Sequence, residues 1–140
     1  MCEPTARKAQ PRTTYEAQFS LPFSVAAALV HGRVGVDTYK SERLGDPEVL
    51  AVASRVRYAI DPDARFPASF PGWVRVRLTD GRIVETRAEA GPPTREAILQ
   101  KFRANAAQAL PASRIGELER RTLDLDRLPS LGVITALCRP

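Results

Sequence analysis

From Pro22 to Val30 the chain reads PFSVAAALV, apolar at every position except Ser24. No face of such a segment is polar, so the pattern predicts a helix buried on most of its circumference rather than one lying on a surface. Pro22 suits a first helical turn, Ser20 stands where its hydroxyl can cap the exposed amides, and Gly32 ends the run. A second helix is predicted beyond it. Asp46 and Pro47 form a start signal, and Val49, Leu50, Val52, Ala53 and Val56 return at helical spacing. A single turn of helix around Asp37 to Ser41 lies between the two.

The period then changes. VRYAI, residues 56–60, is rich in strand formers, and DPDARFPASFPG is a loop punctuated by proline and glycine. WVRVRLTDGRIVETRAE alternates apolar and polar residues on both sides of Asp80-Gly81, which predicts a β-hairpin. Trp73, Val74, Val76, Leu78, Ile83 and Val84 supply its apolar positions, while Arg75, Arg77, Arg82 and Arg87 turn largely to solvent. After GPPT the helical period resumes. Thr94 opens TREAILQKFRANAAQAL, in which Ile98, Leu99, Phe102, Ala106 and Leu110 share a face, and ASRIGELERRTLDL and LGVITAL are two further helices. Helices, then strands, then helices define an α+β fold class. With only about three strands and no cover for the far side of the hairpin, the sheet requires completion by something outside this chain.

Length and charge narrow the picture. At 140 residues there is room for one ordinary domain with a modest core. A net charge of +5 raises nucleic acid, acidic lipid and anionic metabolites as partners. The arginines are spread out, however, with Arg120 and Arg121 the one adjacent pair among those of the folded segments, and no basic run is interleaved with stacking aromatics. The charge therefore reads as a solvated surface, and nucleic acid is not expected. Cys2 and Cys138 belong to no metal-ligand spacing, and no role is assigned to either. No apolar run approaches the length of a membrane span, and no leader pattern opens the chain, so a cytoplasmic location is expected and no membrane partner. The first fourteen residues, MCEPTARKAQPRTT, carry no periodicity and read as a flexible arm.

Four segments in order carry a family pattern: PRTTYEAQFSLPFSVAAALVHG, LGDPEVLAVASRVRYAID, FPASFPGWVRVRLTDGR and AGPPTREAILQKFRANA. Together they closely resemble the C-terminal portion of the MmgE/PrpD family, which includes 2-methylcitrate dehydratases and cis-aconitate decarboxylases. The resemblance runs from about Pro11 to the end of the chain. It implies that residues 15–91 are part of a small α+β lid and that residues 92–140 are helices returning to a large helical domain encoded outside this sequence.

The same resemblance implies a lyase reaction, loss of water or carbon dioxide from a tricarboxylate through proton abstraction, with no cofactor and no metal. It places the start of the Pro22 helix at the substrate cleft, with Ser20 and Phe23 as the candidate substrate-binding residues. The family's tyrosine position is Phe23 here, and a phenyl ring has no hydroxyl with which to donate a proton. The family's acid and base residues lie in its N-terminal domain, so no catalytic residue is assigned. His31 stands where relatives often carry an acidic residue and reads as a partner for the helix C-terminus. The junction after GPP is shorter than in the family. Two functions are thus in play: part of a lyase that is inactive without a separately encoded helical domain and works as a homo- or hetero-oligomer, or a degenerate stand-alone module that binds a small carboxylate or another protein.

Overall fold

The computed structural model describes residues 4–63, 68, 70–89 and 91–139. Three helices open the chain: α1 (Thr5–Ala9), α2 (Thr14–Gln18) and α3 (Leu21–His31). Two single 3₁₀ turns, Val36–Tyr39 and Ser41–Arg43, lead into α4 (Pro47–Ala53). The strands β1 (Pro71–Arg77) and β2 (Ile83–Glu89) follow, and α5 (Arg95–Ala106), α6 (Ala112–Leu123) and α7 (Gly132–Leu137) complete the order. The fold is mixed α+β, in agreement with the sequence pattern.

The described chain divides into two packed units. One comprises Met1–Tyr58 with Leu99–Pro140, the other Ala59–Ile98. In the first, α3 and α4 share a core of Ala17, Phe23, Ala26, Ala27, Leu44, Val49 and Ala53, flanked by Val30, Tyr39, Leu50 and Val52. Small alanines at Ala26 and Ala27 let the two helices approach, and Phe23 fills the largest space between them. The caps are as the sequence implied. The Ser20 hydroxyl accepts from the Phe23 amide at 3.0 Å, Gly32 closes α3 in the left-handed conformation, and Asp46 accepts from the amides of Glu48 and Val49.

Three findings differ from the pattern reading. The segment expected as an arm contains α1 and leads into α2, five residues each, with Ala9 and Pro11 buried. Helices this short carry no readable period. They are held instead by local polar contacts: Thr13 caps the Glu16 amide, and the Glu16 carboxylate accepts from the Arg12 amide and the Arg7 guanidinium. Second, α3 is not covered all round. Pro22, Phe23, Ala26 and Ala27 face the core, but Ala28 and Leu29 are exposed, because nothing in the described chain packs on that side. Third, residues 56–60 form no strand, so the described sheet has two strands. Their β propensity has no neighbouring ladder to join, and propensity without a pairing edge does not make a strand.

The hairpin itself has the expected register. Trp73 lies opposite Arg87, Arg75 opposite Glu85, Val76 opposite Val84 and Arg77 opposite Ile83. Gly81 turns the chain at a φ of 86°, a conformation costly for any residue with a Cβ. The alternation puts Val74, Val76 and Val84 on one face and Trp73, Arg75, Arg77, Glu85 and Arg87 on the other. No side chain of the described hairpin is buried.

In the C-terminal helices, Ile115 and Leu118 of α6 are buried, and α7 packs beside α6. Thr94 caps α5 through the Ala97 amide at 3.2 Å. Arg103 of α5 reaches Glu119 of α6 in a two-pronged pair at 2.6 and 2.7 Å.

Candidate functional site

Of the two candidate substrate-binding residues, Ser20 is completely buried. Its hydroxyl accepts from Phe23 N–H and donates to the carbonyl of Lys8, and the Ser24 amide bonds the Ser20 carbonyl. Pro22 has no amide hydrogen to offer. The first turn of α3 is therefore internally satisfied, with residue 8 folded over it. Phe23, 1% exposed, lies three residues into the turn, its ring tilted against Tyr39 with centroids 6.4 Å apart. Tyr39 in turn shares a hydrogen bond of 2.9 Å with the Ser24 hydroxyl.

Phe23 does border a hollow. A cavity of about 260 Å³ runs along α3, lined by Phe23, Ala27 and His31 at successive four-residue steps, with Val49 of α4 and Arg33, Asp37, Thr38 and Arg43 of the connecting segment. Phe23, Ala27 and Val49 close it on the inner side with almost no exposed surface, and its rim is charged. Arg33 grips both oxygens of Asp37, at 2.9 and 2.6 Å, across the 3₁₀ turn. Those hydrogen bonds hold the Asp37 carboxyl below the usual carboxylate range and raise the Arg33 guanidinium. Gly35 lies beneath this pair: a Cβ there would stand 2.7 Å from Asp37 Oδ1 and 2.8 Å from Arg33 Nη1, so a side chain at 35 would push the ends of these two side chains aside.

Thr38, buried behind the rim, accepts from the Gly35 amide at 3.0 Å and so fixes the turn. His31 Nε2 stands 3.3 Å from Asp46 Oδ2, joining the last turn of α3 to the cap of α4. The sequence reading had His31 at this helix end but singled out neither Arg33, Asp37 nor Arg43. The four-residue spacing of Arg33 and Asp37 was a visible signal for the pair, whereas nothing local marks Arg43.

Among the described residues no group of His, Cys, Asp or Glu is arranged to hold a metal ion, and no helix is long and apolar enough to cross a membrane. Cys138 is an exposed free thiol, and Cys2 lies outside the described residues.

The chain is thus an α+β module built on a serine-capped, proline-started helix that packs on a second helix and is followed by an Asp-Gly hairpin. The MmgE/PrpD C-terminal domain matches residues 2–125, and the chain belongs to that family. Among curated proteins it is similar to the cis-aconitate decarboxylase of Mus musculus, 26% identical over 138 residues, and to that of Homo sapiens, 25% identical over 141 residues. Each alignment covers 92% of this chain and 28% of the relative, so the chain spans well under a third of the length of these enzymes.

Proposed function

We propose that this chain is the C-terminal region of an MmgE/PrpD-like lyase that removes water or carbon dioxide from a tricarboxylate such as 2-methylcitrate or cis-aconitate, and that it does not turn over by itself. The observation that carries this reading is the coverage: 92% of the chain matches proteins named for a decarboxylase, yet it accounts for 28% of their length. The remainder of the fold, on this reading, is the family's N-terminal helical domain, and the whole works as a homo- or hetero-oligomer in the cytoplasm. Residues 15–91 serve as lid and residues 92–140 as the helices that dock on that domain.

The described site supports a division of labour. Phe23 supplies an apolar wall, and with no hydroxyl it cannot pass a proton to the substrate. Ser20, whose hydroxyl donates to the Lys8 carbonyl and accepts from the Phe23 amide, holds the first turn of α3 in place. The acid and base belong to the absent domain. Restraint on the substrate comes from both, so neither part alone should accelerate the reaction measurably.

The test is an assay of the purified chain on 2-methylcitrate, citrate and cis-aconitate, alone and after co-expression with a helical domain encoded upstream. We expect no turnover above the buffer blank for the chain alone and appearance of activity with its complement. Turnover by the chain alone would overturn the reading. A second reading, a stand-alone carboxylate binder, draws on the missing phenol hydroxyl at Phe23 and on the self-contained α3–α4 core. It predicts that no upstream frame encodes a helical domain.

A further inference from the structure

Asp80 is the one aspartate of the chain that precedes a glycine, whereas Asp46 and Asp61 precede prolines, whose nitrogen has no hydrogen to lose. Asp80 and Gly81 form the tip of the β1–β2 hairpin, and both are exposed. A backbone nitrogen that follows an aspartate can attack the carboxyl carbon of that side chain. Glycine leaves the approach open because it has no Cβ, and at Gly81 nothing beyond its chain neighbours lies within 4 Å of where one would stand. Three hydrogen bonds oppose the attack. Asp80 Oδ1 accepts from the Arg82 amide at 3.0 Å, Oδ2 accepts from Arg82 Nε at 2.6 Å, and the Gly81 amide donates to the Leu78 carbonyl at 3.1 Å. Both reacting groups are therefore engaged while the turn is intact. The carboxyl must also be protonated to lose an oxygen as water, and Arg82, through its amide and then its guanidinium, holds it below the usual carboxylate range.

We propose that the Asp80–Gly81 peptide is a site of spontaneous isoaspartate formation, held in check by Arg82 for as long as the hairpin is folded. In the first step the Gly81 nitrogen bonds to Asp80 Cγ, the carboxyl C–OH bond breaks, and the amide hydrogen and the hydroxyl leave as water. Water then adds to the cyclic imide. Opening at Cγ restores aspartate, and opening at the backbone carbonyl routes the main chain through the side-chain carbon, so no oxidant or co-reactant beyond water is needed. The product lengthens the main chain by a methylene at the turn, and the bonds from Leu78 N–H to the Arg82 carbonyl and from Gly81 N–H to the Leu78 carbonyl lose their spacing. The check is intermittent, because a two-stranded ribbon with no buried side chain opens at low cost. This chemistry belongs to the turn alone, so it stands whether or not the chain works within a lyase.

Peptide mapping of the full chain after prolonged incubation in neutral buffer tests the proposal, with isoaspartate quantified by a protein isoaspartyl methyltransferase. Isoaspartate should accumulate at residue 80 ahead of Asp37 and Asp124, and not at Asp46 or Asp61. Unfolding in guanidinium chloride should speed its formation by about tenfold, since all three hydrogen bonds are lost. Arg82→Gln should speed it in buffer by about two- to fivefold, the range expected of an exposed ion pair, and leave the rate in denaturant as it is in the parent chain. Hydrogen exchange of the strand amides in Arg82→Gln should match the parent. No isoaspartate at residue 80, equal rates in buffer and denaturant, or no gain from Arg82→Gln would each overturn the assignment. A gain matched by equally faster strand exchange would overturn it too, because hairpin opening rather than Arg82 would then set the rate.

Discussion

The α3–α4 unit and the hairpin obtain their order by different means. In the first, side chains from α2, α3 and α4 meet in a dry cluster, with Phe23, Val49 and Ala53 each 1% exposed. In the second, register comes from the Asp80-Gly81 turn and from facing pairs such as Arg75 with Glu85, while Trp73, Val74, Ile83 and Val84 remain open to solvent. A two-stranded ribbon without a covered face is marginal in water. The comparison shows that local instructions suffice to define a shape, but burial is what holds one. It also shows where a partner matters: Trp73, Val74, Ile83 and Val84 would each gain from being covered.

The sharpest way to break this contrast is to remove a core side chain and a hairpin side chain and compare the losses. Phe23→Ala should destabilise the α3–α4 unit by about 3–5 kcal/mol in urea unfolding followed by circular dichroism. Trp73→Ala, whose ring carries the Arg75 guanidinium 4.9 Å from its centre, should cost about 1 kcal/mol or less and leave that transition where it was. Comparable losses from the two would erase the distinction. Next in size, Ser20→Ala removes a cap and strips the Lys8 carbonyl of its donor, for a loss of about 2 kcal/mol in the same experiment. Gly81→Ala should cost about 1 kcal/mol, felt only as faster hydrogen exchange of the strand amides, with α3 and α4 unaffected.

The smallest effect is on acid stability. Glu16 is held below its ordinary range by the Arg12 amide and then by Arg7, Asp37 by Arg33, and Glu117 by Arg120 and then Arg121. All three belong to the helical unit and are half-buried, while their arginine partners are largely open to solvent. A carboxylate depressed on folding contributes stability above its unfolded value, near pH 4, and that contribution is lost as pH falls through the lower folded value. Acid titration by circular dichroism should therefore show helix stability falling below about pH 4, with a smaller fall at high salt, where exposed pairs are screened. A loss of helix beginning at neutral pH would point to other groups.

Much of this was legible in the sequence, and the limits have physical causes. Ser20 with Pro22, Asp46 with Pro47, Thr94 with Ala97 and Asp80-Gly81 are local signals that act within three residues of where they are written, and each appears in the structure as a cap or a turn. What stayed hidden depends on distance. Residues 56–60 have the composition of a strand but no edge beside them, and α1 and α2 are held by contacts such as Arg7 with Glu16 that have no period. The hollow beside Phe23 gathers Ala27, Val49 and Arg43 from three segments, and only their packing brings them together. The apolar run of α3 announced burial correctly on the side of Phe23, but it could not say what would cover Leu29.

Every residue of the α3–α4 core lies between Ala17 and Ala53, and the Lys8 carbonyl that completes the Ser20 cap lies before them. During synthesis this means that all these parts are made, and leave the ribosome, ahead of the hairpin. Contacts so close in sequence form quickly, and domains generally fold in the order in which they emerge. The α3–α4 pair can then pack before residues 71–89 emerge, with the ribbon and the C-terminal helices following it.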